Sequence, residues 1–62
     1  MTNLKKIREE KGITQEEMAK ELGYSGKSGY SMLENGKVRL TLEQAVKIAK
    51  KLEMSIDDIF LN

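Results

Sequence analysis

Thr14-Gln15-Glu16-Glu17-Met18-Ala19-Lys20-Glu21-Leu22-Gly23-Tyr24-Ser25-Gly26-Lys27-Ser28-Gly29-Tyr30-Ser31-Met32-Leu33-Glu34-Asn35-Gly36-Lys37 contains two helix starts and two helix stops in one short stretch. Thr14 to Glu17 has the form of a capping box: the Thr hydroxyl accepts from the Glu17 amide and the Glu17 carboxylate reaches back. Met18, Ala19 and Leu22 form the expected buried side of this helix, and Gly23 ends it. A third helix is predicted from about Gly26 to Asn35, with Ser25 as its cap, Tyr30 and Leu33 facing inward and Gly36 as its stop. The result is two short helices joined by a tight turn.

Outward from this pair, the same grammar continues. Leu4, Ile7 and Arg8 with Lys5, Lys6, Glu9 and Glu10 predict a first helix opened by Thr2 or Asn3 and stopped by Gly12. Thr41 caps a fourth, whose apolar positions Leu42, Ala45, Ile48, Ala49 and Leu52 follow i, i+3, i+4 spacing, with Lys47, Lys50 and Lys51 facing water. Ser55-Ile56-Asp57-Asp58 opens a short fifth helix ending in Ile59, Phe60 and Leu61, its aspartates placed at the positive N-terminal end. With no Pro and abundant Leu, Ile, Met, Ala, Glu and Lys, the expectation is an all-α fold of five helices forming a single domain over residues 1–62.

A chain of 62 residues buries only about 60% of the surface its unfolded form exposes. There is no Cys and no His, which excludes a disulfide framework and a thiolate or imidazole metal site. No cofactor is expected, and no catalytic residue: nothing supplies His or Cys chemistry, no Gly-rich phosphate loop occurs, and the adjacent acids Glu9-Glu10 and Asp57-Asp58 sit at exposed or capping positions. Neither a signal-peptide pattern nor an apolar run of about 18 residues is present, so the expected location is the cytoplasm and no membrane partner is implied. The net charge is only +1, but it is unevenly placed. Glu9, Glu10, Glu16, Glu17 and Glu21 crowd the first half, whereas Gly26 to Leu42 carries Lys27, Lys37 and Arg39 against Glu34 alone, a locally positive middle.

The order of caps, glycines and apolar positions resembles the five-helix, lambda repressor-like fold of the phage repressor and Cro type (XRE-type) of helix-turn-helix DNA-binding domain, from about Leu4 to Leu61. Thr14-Gln15-Glu16-Glu17-Met18-Ala19, Leu33-Glu34-Asn35-Gly36-Lys37 and Ile48-Ala49-Lys50-Lys51-Leu52 carry the resemblance. It implies a sequence-specific transcriptional regulator, with the helix-turn-helix at about 14–35 and double-stranded DNA, a palindromic operator, as the partner. Arg8 and Glu34 stand where the family pairs the first helix with the recognition helix. By position in such domains, Lys27, Ser28, Ser31 and Met32 would face the major groove. Gln15, Tyr24, Asn35, Lys37 and Arg39 would hold phosphates. Gly29 would allow close approach of backbone to DNA or of helix to helix.

Two departures from the family pattern stand out. The interval from Leu22 to Glu34 is one residue longer than usual, which lengthens the turn at Tyr24-Ser25-Gly26 and shifts the start of the third helix. Glu53 occupies the place where Gly commonly ends the fourth. A rival expectation is a helical protein-interaction module, such as an antitoxin or a regulator acting through a protein partner, with Ile56, Ile59, Phe60 and Leu61 as its apolar contact. The same residues are the expected contact of a weak homodimer favoured on DNA, with core closure as their plainer role.

Overall fold

The computed structural model describes residues 3–61 and contains five helices there: α1 (Leu4–Glu10), α2 (Gln15–Glu21), α3 (Lys27–Glu34), α4 (Leu42–Leu52) and α5 (Ile56–Phe60). The start of α1 falls at Asn3, whose side chain makes no capping bond; Thr2 lies outside the described residues. Thr14 and Thr41 both form capping boxes, with Glu17 and Gln44 as reciprocal partners. Accepting the Thr14 amide and hydroxyl holds the Glu17 carboxyl below its ordinary value. Ser55 caps α5 by accepting from the Asp58 amide. The cap of α3 differs from expectation. Gly26, not Ser25, stands at the cap in extended backbone (φ −163, ψ 176), and α3 therefore has no side-chain cap.

The first four helices stop by one device. After each, two amides return to the last carbonyls in the Schellman pattern: Gly12 to Glu9 and Ile13 to Arg8, Gly23 to Lys20 and Tyr24 to Ala19, Gly36 to Leu33 and Lys37 to Met32, Glu53 to Lys50 and Met54 to Ala49. The device needs one left-handed residue. Glycine supplies it three times, but α4 turns on Glu53 at φ 56, ψ 44. A side chain there crowds the following carbonyl.

Met18, Tyr30, Ile48, Leu52 and Ile59 are fully buried and form the centre of the core, with Leu4, Ala19, Leu33 and Ala49 around them. The main partner of α3 is α2; α4 backs α2, and α5 joins α4 to α1. Leu42 does not belong to this core: it is 75% exposed. It is in phase with Ala45 and Ala49 but lies in the first turn of α4, ahead of the buried turns. Ile59, expected as part of an apolar contact with a partner, is 0% exposed and is committed to the core.

Glu53→Gly removes the crowding at the α4 stop while loosening the unfolded chain. The net expected gain is about 0.5–1 kcal/mol, measured as a rise in the urea midpoint with unchanged slope.

Candidate functional site

The carboxylate of Glu34, in the last turn of α3, is the point where three helices are tied. Arg8 from α1 donates to it through Nε (2.8 Å) and Nη2 (3.2 Å). Tyr30, one turn earlier in α3, donates its hydroxyl at 2.8 Å, and Gln15 at the start of α2 donates Nε2 at 3.0 Å. The Arg8 guanidinium also donates to the Ile13 carbonyl at 2.7 Å, fastening the loop between α1 and α2. Both partners of the ion pair are buried. Among the described residues no buried side-chain polar atom lacks a hydrogen-bond partner.

Burial alone would raise the Glu34 pKa; the hydrogen bonds from Arg8, Tyr30 and Gln15 outweigh it, and the carboxyl is held below its ordinary value. The Glu34 bond raises the Arg8 pKa, while burial and then the Glu34 bond raise that of the Tyr30 hydroxyl. Glu34 is therefore a carboxylate and Arg8 a cation at neutral pH.

With Tyr30, Leu33 and Glu34 turned inward, the 3.6-residue repeat of α3 leaves Ser28 and Met32 on the opposite arc, both exposed, and Ser31 half-buried beside them; Lys27 shares the phase of Tyr30 and Glu34 and is exposed at the first position of the helix. Met32 is 45% exposed and is not a core residue. Lys27 shares an open hollow with Gln15, Thr14 and Lys5, flanked by Glu9 and Glu16. Lys5 was not singled out from sequence; its i, i+3 relation to Arg8 was the available signal. Beyond α3, Lys37 and Arg39 are exposed, and among the described residues they and Lys27 form no ion pair. Asn35 also sits there, its side-chain amide donating to Ser31 Oγ at 3.3 Å.

Two expected phosphate contacts are placed differently. The Gln15 carboxamide is turned to Glu34, which leaves one of its two N–H groups for anything outside. Tyr24 does not extend outward. Its ring is half-buried against the core, and its hydroxyl accepts from Gln44 Nε2 of α4 at 3.0 Å. Of the four C-terminal positions, Ile56 and Phe60 are half-buried, Leu61 is 74% exposed, and Ile59 is inaccessible. An apolar groove of about 160 Å³ lined by Leu4, Leu33, Val38, Leu40 and Phe60 lies beside that end.

A helix-turn-helix family model matches residues 4–59, which takes in all of α1 to α4 and most of α5. Among curated proteins, an uncharacterized HTH-type transcriptional regulator of Archaeoglobus fulgidus is 37% identical over 60 residues, covering 97% of this chain and 84% of the relative. A second regulator so named from the same organism is 38% identical over 60 residues, covering 97% and 83%.

Removing one partner of the buried pair strands the other. Arg8→Met or Glu34→Gln alone is expected to cost about 3–5 kcal/mol, and the double variant less than the sum. Chemical denaturation of the three variants measures this. Because the folded-state pKa of Glu34 is depressed, its contribution is fully present above the ordinary carboxylate range and lost as pH falls through the depressed value. Wild type is expected to lose stability on acidification over that range, and Glu34→Gln to lose less.

Proposed function

The chain belongs to the helix-turn-helix family, and from that membership we propose that it is a sequence-specific, double-stranded DNA-binding transcriptional regulator of the phage or bacterial repressor type. The family is one of DNA-binding regulators and not of enzymes. What carries the proposal is the outward arc of α3: Ser28 and Met32 stand exposed on the side opposite Tyr30, Leu33 and Glu34, with Lys27 exposed at the first position of the helix. In the major groove, Lys27 donates to guanine O6 and N7, Ser28 donates or accepts, and Met32 packs on a thymine methyl. Lys37 and Arg39 hold phosphates beyond α3, with Asn35 beside them. The spare N–H of Gln15 and its backbone amide meet a phosphate at the start of α2.

One domain of this kind on operator DNA in the cytoplasm is best used as a pair. Leu61 is 74% exposed and directly follows Phe60, which lines the groove with Val38 and Leu40. A second copy related by a two-fold axis can place each Leu61 against the other's groove, with Ile56 and Phe60 at the margin and Ile59 excluded. Such a patch is small, and the dimer is weak until DNA brings two copies to half-sites of a palindrome about 34 Å apart. The same apolar patch supports a second reading, a module acting through a protein partner.

Selection of duplexes from a random DNA pool, followed by titration at several salt concentrations, separates these readings. The expected slope of log affinity on log salt is about −0.9 per phosphate contact. Lys37→Ala is expected to weaken all sequences alike and reduce the slope by about 1, while Lys27→Ala or Ser28→Ala changes the preferred sequence. No selected duplex at any salt would sink the DNA reading and favour the protein partner.

The pairing surface has its own test, sedimentation with and without a palindromic duplex. Leu61→Glu is expected to leave half-site binding intact and abolish cooperative occupation of the full site.

A further inference from the structure

We infer that Tyr24 is a positioning residue: through its contact with Gly29 it sets the seat of α3, and so decides which base edges Lys27, Ser28 and Met32 meet. The consequence for base choice rests on the DNA-binding reading; the seating itself does not. Glycine inside an eight-residue helix is unfavourable against alanine, so its presence at 29 calls for a cause. The cause is the Tyr24 ring. A Cβ added at Gly29 would lie 2.5 Å from Tyr24 Cδ1, 3.0 Å from Cε1 and 3.2 Å from Cγ. Such distances reach the base of the ring and not a mobile tip, so α3 meets an aromatic face where any other residue would place a side chain.

The ring is also held from its far end. Gln44 Nε2 donates to the Tyr24 hydroxyl at 3.0 Å. Gln44 is itself fixed, because its Oε1 accepts from the Thr41 amide while its own amide donates to Thr41 Oγ1. The capping box of α4 therefore anchors an aromatic strut that ends on α3. Since α3 packs mainly on α2, this strut and the Glu34 ties at the other end of the helix fix its tilt. Tyr24 lies in the turn between α2 and α3, and the exposed residues Lys27 and Ser28 lie immediately before Gly29.

The test is a double-mutant cycle. In the wild-type background Gly29→Ala is expected to lower the thermal midpoint by about 5–15 °C. In a Tyr24→Ala background the same change is expected to be neutral or to raise it by about 4–8 °C, since alanine is then simply the better helix former. Should Tyr24→Ala leave no folded domain, Tyr24→Phe decides: without the Gln44 bond the ring can yield, and the loss from Gly29→Ala shrinks. Selection from a random duplex pool is then run with wild type and with the Tyr24→Ala/Gly29→Ala variant. A changed order of base preferences, with Lys27 and Ser28 untouched, supports positioning. Unchanged preference and affinity in that variant overturns it, as does Gly29→Ala stabilising the wild type. If wild type selects no duplex, the DNA-binding reading fails separately, and the sign of the Gly29→Ala effect in the two backgrounds still decides whether Tyr24 seats α3.

Discussion

A carboxylate taken out of water must be repaid with hydrogen bonds, and that constraint at Glu34 organises the domain. Its oxygens accept from Arg8, Tyr30 and Gln15, so one buried charge fixes the end of α3 against α1 and α2 at once. An apolar residue at this place could fill the volume, but it would not dictate an angle. Hydrogen bonds of 2.8–3.2 Å from three directions do. For a helix whose outer arc is to be presented to another molecule, angle matters more than added stability.

Much of this was legible in the sequence because it is written locally. Thr14 with Glu17, Thr41, Ser55 with its aspartates, and the glycines at 12, 23 and 36 mark helix ends through bonds within a few residues, and those bonds are present. The Arg8 and Glu34 positions came from resemblance, and the structure joins them directly. What local patterns do not encode is what lies across the fold. Ile59 has the spacing of an exposed apolar end, yet α4 and α1 close over it. Leu42 has core spacing, yet at the start of α4 it is 75% exposed.

The site was legible to a similar depth. Exposure of Ser28 and Met32 follows from the phase set by Tyr30 and Leu33, which periodicity gives; Lys27 has the inward phase and is exposed at the start of the helix. The partners of Gln15 and Tyr24 do not follow from spacing, because a carboxamide or a phenol can serve solvent, ligand or core with equal chemical ease. Both turned inward, to Glu34 and Gln44 respectively. Residues that could have been part of the outer surface became fasteners of the helix that carries it.

The repeated stop at the ends of the first four helices also bears on time. Each reversal is sealed by amides returning only three and five residues along the chain, so direction changes without waiting for distant segments to meet. Loop closures of that size take tens of nanoseconds, and chains dominated by such contacts fold in microseconds to milliseconds. The ties that span far, Arg8 to Glu34 and Gln44 to Tyr24, then close on an arrangement whose corners are already turned. A domain this short accordingly spends little time with its apolar surfaces open to other chains.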